Sequence, residues 1–179
     1  MSEHCTHIFF PRDLFDSHPE WFALINGRRQ RNGQICYSNK NAVELLANNM
    51  IKYLKKHPEF STIGTWPLDG GNYCTCDGCK NKETIFKATT LIAQKIKSEC
   101  PNITVEHLAY HKESWMPPTD TNISENMSVL WCPTSSPAMD SLANQWVEKS
   151  KKAQGVYQLE YYLGDHYRMR SHVLLRPYY

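Results

Sequence analysis

Residues 83–110 read ETIFKATTLIAQKIKSECPNITVEHLAY, and this stretch decides the fold class. Its first part spaces Ile85, Thr89, Ile92, Ala93 and Ile96 along one helical face, which predicts a helix over 83–99 closed by Pro101. Its second part, 103–110, is too short for a helix and rich in β-branched and aromatic residues, which predicts a strand. A helix delivered straight into a strand is half of a crossover unit, so the flanking segments decide whether the unit repeats.

It repeats in both directions. Upstream, 62–66 predicts a strand, preceded by a helix with Ser38 or Asn39 as N-cap. That helix carries Val43, Leu46, Ala47, Met50, Ile51 and Leu54 on one face and stops at His57-Pro58. Downstream, 128–132 predicts a strand. A helix then opens at Pro137 and is expected to bury Met139, Leu142, Ala143, Trp146 and Val147 before Gly155 stops it, and 156–161 predicts another strand. Residues 34–37 read as a further strand, 7–10 as a short one, and 11–22 as a short helix or turns leading to a bend at Gly27. The alternation predicts an α/β domain over 1–179, with parallel strands and outer helices. Residues 110–127 hold Pro117-Pro118 without a helical stripe, so that crossover is expected to be an extended loop.

Composition narrows the function. The chain has 179 residues, 20 Lys plus Arg and 18 Asp plus Glu, and its charge of +2 is spread without the basic block that a phosphate backbone demands. Nucleic acid is therefore excluded as the expected partner. No run of about 18 apolar residues exists to span a bilayer, and Glu3, His4 and His7 stand where a signal peptide needs a basic end and an apolar run. No membrane association and no signal peptide are expected. Seven cysteines, an odd number, do not make a secreted disulfide framework. Five Trp and ten Tyr supply flat faces for packing or for a ligand.

In parallel sheets the ligand site lies at the C-terminal ends of the strands. Trp66 to Gly71 follow one predicted strand, Tyr110-His111-Lys112-Glu113 the next, Cys132-Pro133 the next, and Glu160-Tyr161-Tyr162 the last. Rings that stack on pyranose faces, hydroxyl-binding groups and carboxyls together suit a sugar. Asp69 also reads as a turn residue beside two glycines, Glu160 as an ion-pair member, and Trp66, Trp115 and Trp131 as core. Glu106 and His107, adjacent in a strand, face opposite layers and read as structural. Cys74, Cys76 and Cys79 bring three thiols into six positions, enough for a structural zinc whose fourth ligand comes from Cys36, Cys132 or a histidine. Redox use of Cys76-x-x-Cys79 ranks below this stapling role, because the pair lies in a loop ahead of a helix.

Phe10 to Phe15, His18 to Arg29, Ile35 to Asn39, Asp69-Gly70-Gly71 with its Cys-x-Cys-x-x-Cys run, and Leu108-Ala109-Tyr110-His111 occur in this order. Together they resemble the bacterial family of domain of unknown function 4838 (DUF4838). That resemblance implies a relation to glycoside hydrolases on (β/α)8 barrels, with the family 67 alpha-glucuronidases among the nearer relatives. It also implies a parent protein that processes polysaccharide and is secreted or periplasmic. A (β/α)8 barrel takes about 250 residues. The expectation is thus a partial (β/α)8 TIM-type barrel, first and last units missing, its open edges covered by the rest of the parent barrel or a second copy. Within the family pattern Asp69 and Glu160 are the expected catalytic carboxyls, with Glu160 the proton donor. Trp66, Tyr110, His111, Tyr161 and Tyr162 are then the expected sugar-binding residues, and Lys112, Arg168 and Arg170 would favour an acidic sugar. The expected function is a glycoside hydrolase-like domain that binds and hydrolyses an oligosaccharide without a required cofactor. The alternatives are a non-catalytic carbohydrate-binding barrel with a Cys-rich structural metal loop, and a thiol-based metal module.

Overall fold

A computed structural model describes residues 1, 4, 6–81, 83–110, 116–132 and 138–159. Along the chain come α1 (Thr6–Phe9), the hairpin strands β1 (Leu24–Ile25) and β2 (Arg28–Arg29), and α2 (Lys40–Lys56). Then follow β3 (Thr62–Gly64), α3 (Thr84–Glu99), β4 (Thr104–Ala109), β5 (Met127–Trp131), α4 (Ala138–Lys149) and β6 (Val156–Gln158). Strands β3-β4-β5-β6 lie side by side in that order, every neighbouring pair parallel.

The two strongest stripes fold as read. Asn39 caps α2, its Oδ1 accepting from the Ala42 amide at 3.1 Å, and Val43, Leu46, Ala47, Met50, Ile51 and Leu54 are buried beneath it. On α3 the buried set contains the five predicted residues together with Phe86, Ala88 and Thr90. The helices pack on the sheet face that carries His107: its ring meets Phe86 of α3 at 5.0 Å and Trp146 of α4 at 5.7 Å. Thr65 reaches the same layer, 3.2 Å from the Thr89 hydroxyl. Strand alternation then turns Glu106 and Leu108 to the other face. Register aligns them there with Gly64, Ser128 and Leu130. Glu106 and His107 do face opposite layers. Ile63, Val105, Met127, Val129 and Trp146 lose all exposure, each such side chain contributing about 1.5–3 kcal/mol by leaving water. Trp131 is core as well.

Four expectations need correction. Residues 7–10 were read as a strand, but Thr6–Phe9 is a helical turn whose Phe9 carbonyl accepts from Asn49 of α2 at 2.8 Å. Residues 34–37 are extended yet stand outside the parallel sheet, because the chain turns back at Asn26-Gly27 and supplies a nearer partner. Phe22 and Ile35 form an antiparallel bridge, Ala23 N–H donates to Gln34 C=O at 2.8 Å, and Cys36 N–H to Trp21 C=O at 2.9 Å. Val147, assigned to the buried side of α4, is 52 % exposed, while Trp146 is fully buried and Leu142 and Ala143 pack against the core. Strand β6 ends at Gln158 rather than 161, and Pro137, His111, Trp115, Glu160, Tyr161, Tyr162, Arg168 and Arg170 lie outside the described residues.

Beside β3 the Gly64 amide donates to the Met1 carbonyl at 2.7 Å, and the Met1 amino group donates to the Thr62 carbonyl at 2.6 Å. The extended crossover after β4 is anchored by one carboxylate. Glu83 accepts from the Thr119 amide and hydroxyl at 2.5 and 2.8 Å, the Asp120 amide at 3.2 Å and the Thr121 hydroxyl at 3.0 Å. Among the described residues no helix is long and apolar enough to cross a membrane.

Candidate metal centre and strand-end surface

Four sulfurs from two distant segments meet beside the β1–β2 hairpin. Cys74, Cys76 and Cys79 come from the loop after β3, Cys36 from the extended segment before α2, and their Sγ atoms all lie within 4.8 Å of one another. Cys36 Sγ stands 3.7 Å from Cys74, 3.6 Å from Cys76 and 3.9 Å from Cys79. None of the four is in a disulfide. Tetrahedral zinc with Zn–S bonds of about 2.3 Å places sulfurs about 3.8 Å apart, a spacing that the three Cys36 distances match, with the remaining pairs within 4.8 Å.

The surroundings suit thiolates. The Ser38 hydroxyl is 3.3 Å from Cys36, 3.4 Å from Cys76 and 3.3 Å from Cys79, and the Leu24 amide donates to Cys74 at 3.2 Å. Arg29, whose Nη1 donates to Phe22 C=O at 2.7 Å, brings a guanidinium 3.9 Å from Cys74. The Cys79 thiol, offset partly by burial and helped by Ser38 and Arg29, holds Cys36 ionised down to about 4. That charge in turn pushes Cys79 upward. Without a cation the thiols divide: Cys36 and, against burial and through Ser38, Cys76 are lowered while Cys74 and Cys79 are pushed up, and a divalent ion would neutralise all four together. Gly78 makes the close approach: a Cβ there would sit 2.6 Å from Ser38 Oγ.

The sequence left the fourth ligand open, and the fold selects Cys36. Cys132 is elsewhere, buried at the end of β5, where burial and then the Glu106 charge raise its thiol to about 12. Nothing local marks Cys36, which is 38 residues from Cys74 and becomes a neighbour only when the hairpin folds back.

The same loop carries Asp69 from β3 toward the thiols. Gly70, Gly71 and Asn72 have φ of 87°, 82° and 57°, a left-handed run that glycine adopts at little cost, and Asp69 Oδ1 accepts from the Gly70 amide at 2.9 Å. The turn role of Asp69 is thus real, and its carboxylate is also exposed at the C-terminal end of the sheet. Half-buried Tyr110, the residue after β4, feels it: burial and then the Asp69 charge raise the phenol above its ordinary value. Trp66 is also half-buried, its Nε1 donating to Glu106 Oε1 at 3.1 Å and its ring meeting His4 edge-on at 5.3 Å. Of the residues expected to bind sugar or do chemistry, Trp66, Asp69 and Tyr110 share this end of the sheet; Glu160, His111, Tyr161 and Tyr162 fall outside the described residues.

Two polar residues at this site went unread in the sequence. Glu106 was taken as structural, yet it orients the Trp66 indole. Gln34, 1 % exposed, grips the Asp69 turn through both its donors and its oxygen, a role no local pattern announces.

The sequence pattern of the family described as a domain of unknown function (DUF4838) matches residues 1–162. No curated protein matches the chain.

Proposed function

Since the chain belongs to the DUF4838 family, we propose that it forms the ligand-facing part of a glycoside hydrolase-like (β/α)8-type barrel that binds and hydrolyses an oligosaccharide. We further propose zinc as the ion of the four thiolates. The observation that carries the sugar reading is the convergence of Trp66, Asp69 and Tyr110 beyond the C-terminal ends of adjacent parallel strands. The barrel reading draws support from the strand order β3-β4-β5-β6, which never reverses as a doubly wound sheet does, and from α3 and α4 sharing one face.

In this reading the indole of Trp66 and the phenol of Tyr110 stack on or hydrogen-bond a sugar ring, and Asp69 with Glu160 supplies the carboxyl pair. The zinc is structural. All four positions of a tetrahedral ion are filled by protein sulfur, leaving none open for water or substrate, so its contribution is to hold the loop that bears Asp69.

Binding and reducing-end release are measured on a panel of neutral and uronic-acid-bearing oligosaccharides, with protein purified under reducing conditions. Binding is expected for the wild type, to be lost in Trp66→Ala and Tyr110→Ala. Release is expected to fall at least about a hundredfold in Asp69→Asn and in Glu160→Gln while binding survives. Binding without release by the wild type would leave the non-catalytic carbohydrate-binding reading; neither binding nor release across the panel would overturn both. Zinc is tested by metal analysis and by cobalt substitution. Thiolate-to-cobalt charge-transfer bands that disappear in Cys36→Ser are expected, and a reduced, folded sample that takes up no metal would remove the assignment.

A further inference from the structure

The segment that carries Cys36 also carries Gln34. The Gln34 side chain spends its whole amide on the Asp69 turn: Nε2 donates to Leu68 C=O at 2.6 Å and Gly71 C=O at 2.9 Å, and Oε1 accepts from the Leu68 amide at 2.8 Å. These bonds bracket Asp69 on both sides. Gln34 is almost fully buried, so water does not replace them when they break, and a buried polar group left unmatched costs about 1–3 kcal/mol.

Between the amide clamp and the thiols lies one short antiparallel pairing. Gln34 and Cys36 are tied to Ala23 and Trp21, while Leu24, next in line, donates its amide to Cys74 Sγ and accepts from the Thr75 amide and hydroxyl at 2.8 and 2.7 Å. The loop is thus gripped twice by the same element, at Leu68–Gly71 through an amide and at Cys74–Cys79 through sulfur. Between the two grips lies the left-handed run at Gly70, Gly71 and Asn72, around which a side chain added at Gly70 or Gly71 would meet open space.

We infer that Gln34 is a positioning residue for the Asp69 carboxylate and that the metal centre sets where Gln34 sits, so that loading the four thiolates with a divalent ion fixes the Leu68–Gly71 turn that carries Asp69 at the strand-end surface. This rests on the metal reading above and adds to it a coupling between the ion and the strand-end surface. Without the ion, Cys36 is released from its three partners, the 34–36 segment loses its anchor at one end, and the clamp loosens with it. A loosened turn carries the Asp69 charge away from the Tyr110 phenol.

That last consequence supplies a readout independent of any sugar and of global stability. The reduced full chain is stripped of metal, then titrated with zinc. Amide exchange is followed at Leu68, and the Tyr110 phenol is titrated by carbon NMR, its signal identified by Tyr110→Phe. Zinc is expected to slow Leu68 exchange at least about tenfold and to raise the Tyr110 titration. Zinc-loaded Gln34→Ala is expected to keep full metal content and its cobalt bands while its Tyr110 titration drops to that of metal-free wild type. If zinc binds wild type and leaves both Leu68 and Tyr110 unchanged, the coupling is overturned. If Gln34→Ala retains the wild-type Tyr110 titration, the positioning role is overturned. Should the variant fail to fold, the wild-type zinc titration decides alone. Absence of cobalt bands strikes the metal reading instead, a result distinct from both.

Discussion

Two parts of this chain solve the same problem with different chemistry. Around β3 to β6, order comes from apolar burial: Ile63, Val105, Met127, Val129, Ile92, Ile96 and Trp146 are sealed between sheet and helices. Beside the thiols, between the β1–β2 hairpin and the loop after β3, a separate small cluster buries Ala23, Cys36 and Cys74, while Phe22 and Ile35 of the same hairpin segment join the main core. The loop that bears Cys74, Cys76 and Cys79 buries little apolar area of its own, and in the reading proposed above a cross-link through four sulfurs offsets its conformational entropy. Burial holds one part, and in the proposed reading ligation holds the thiol loop of the other.

This contrast is easiest to break by removing the proposed ion. Structural zinc contributes roughly 10–16 kcal/mol of apparent binding energy to zinc-finger peptides near neutral pH, so chelation is expected to have the largest effect here. Hydrogen exchange should become fast in 21–36 and 66–80 while the amides of β4 and β5 stay protected. Joint loss of protection in both parts would mean that they are one cooperative unit. The converse experiment is Trp146→Ala. Emptying that site should destabilise the helix-backed sheet by about 3–5 kcal/mol in urea titrations, with zinc content unchanged.

Smaller changes sharpen the boundary. Gly78→Ala pushes a methyl into Ser38 and is expected to weaken zinc affinity roughly 10- to 100-fold, the usual penalty for disturbing groups that orient metal ligands, read by competition with a chelator. Glu83 tests the other part through pH. Burial opposes its charge, but the donors of Thr119, Asp120 and Thr121 prevail and bring the carboxyl down to about 2. Its folded value lies below the unfolded one, so the unfolded chain takes the proton first. The contribution is full above about pH 4.5 and is lost as pH falls toward 2. Glu83→Gln should remove about 2 kcal/mol at neutral pH and flatten that acid limb of the stability profile. Asn39→Ala, which deletes the α2 cap, should cost about 1 kcal/mol by thermal unfolding.

Legibility followed the range of the interactions. The stripes of α2 and α3, the Asn39 cap, the strand at 62–66 and the placement of Trp66 and Asp69 after it were readable because periodicity, capping and chain order act over a few residues. The thiol triplet was readable for the same reason. Cys36 as fourth ligand was not, nor was the departure of 34–37 from the parallel sheet, since both depend on a hairpin that brings residues 21–24 alongside. Helix and strand were confused at Thr6–Phe9 because four residues carry too little period to separate them. Val147 was misplaced because consecutive helix positions point about 100° apart, so with Trp146 turned fully into the core its neighbour swings toward solvent.

By itself the amino-acid order determined the α/β alternation, the helical faces and the three clustered thiols, all properties of residues near one another along the chain. Only tertiary structure decided that Cys36 completes the sulfur set, that Gln34 clamps the Asp69 turn and that Glu106 orients Trp66. Each of those contacts joins residues more than 30 apart, and a separation of that kind is bridged by the packing of whole elements, which no local pattern encodes.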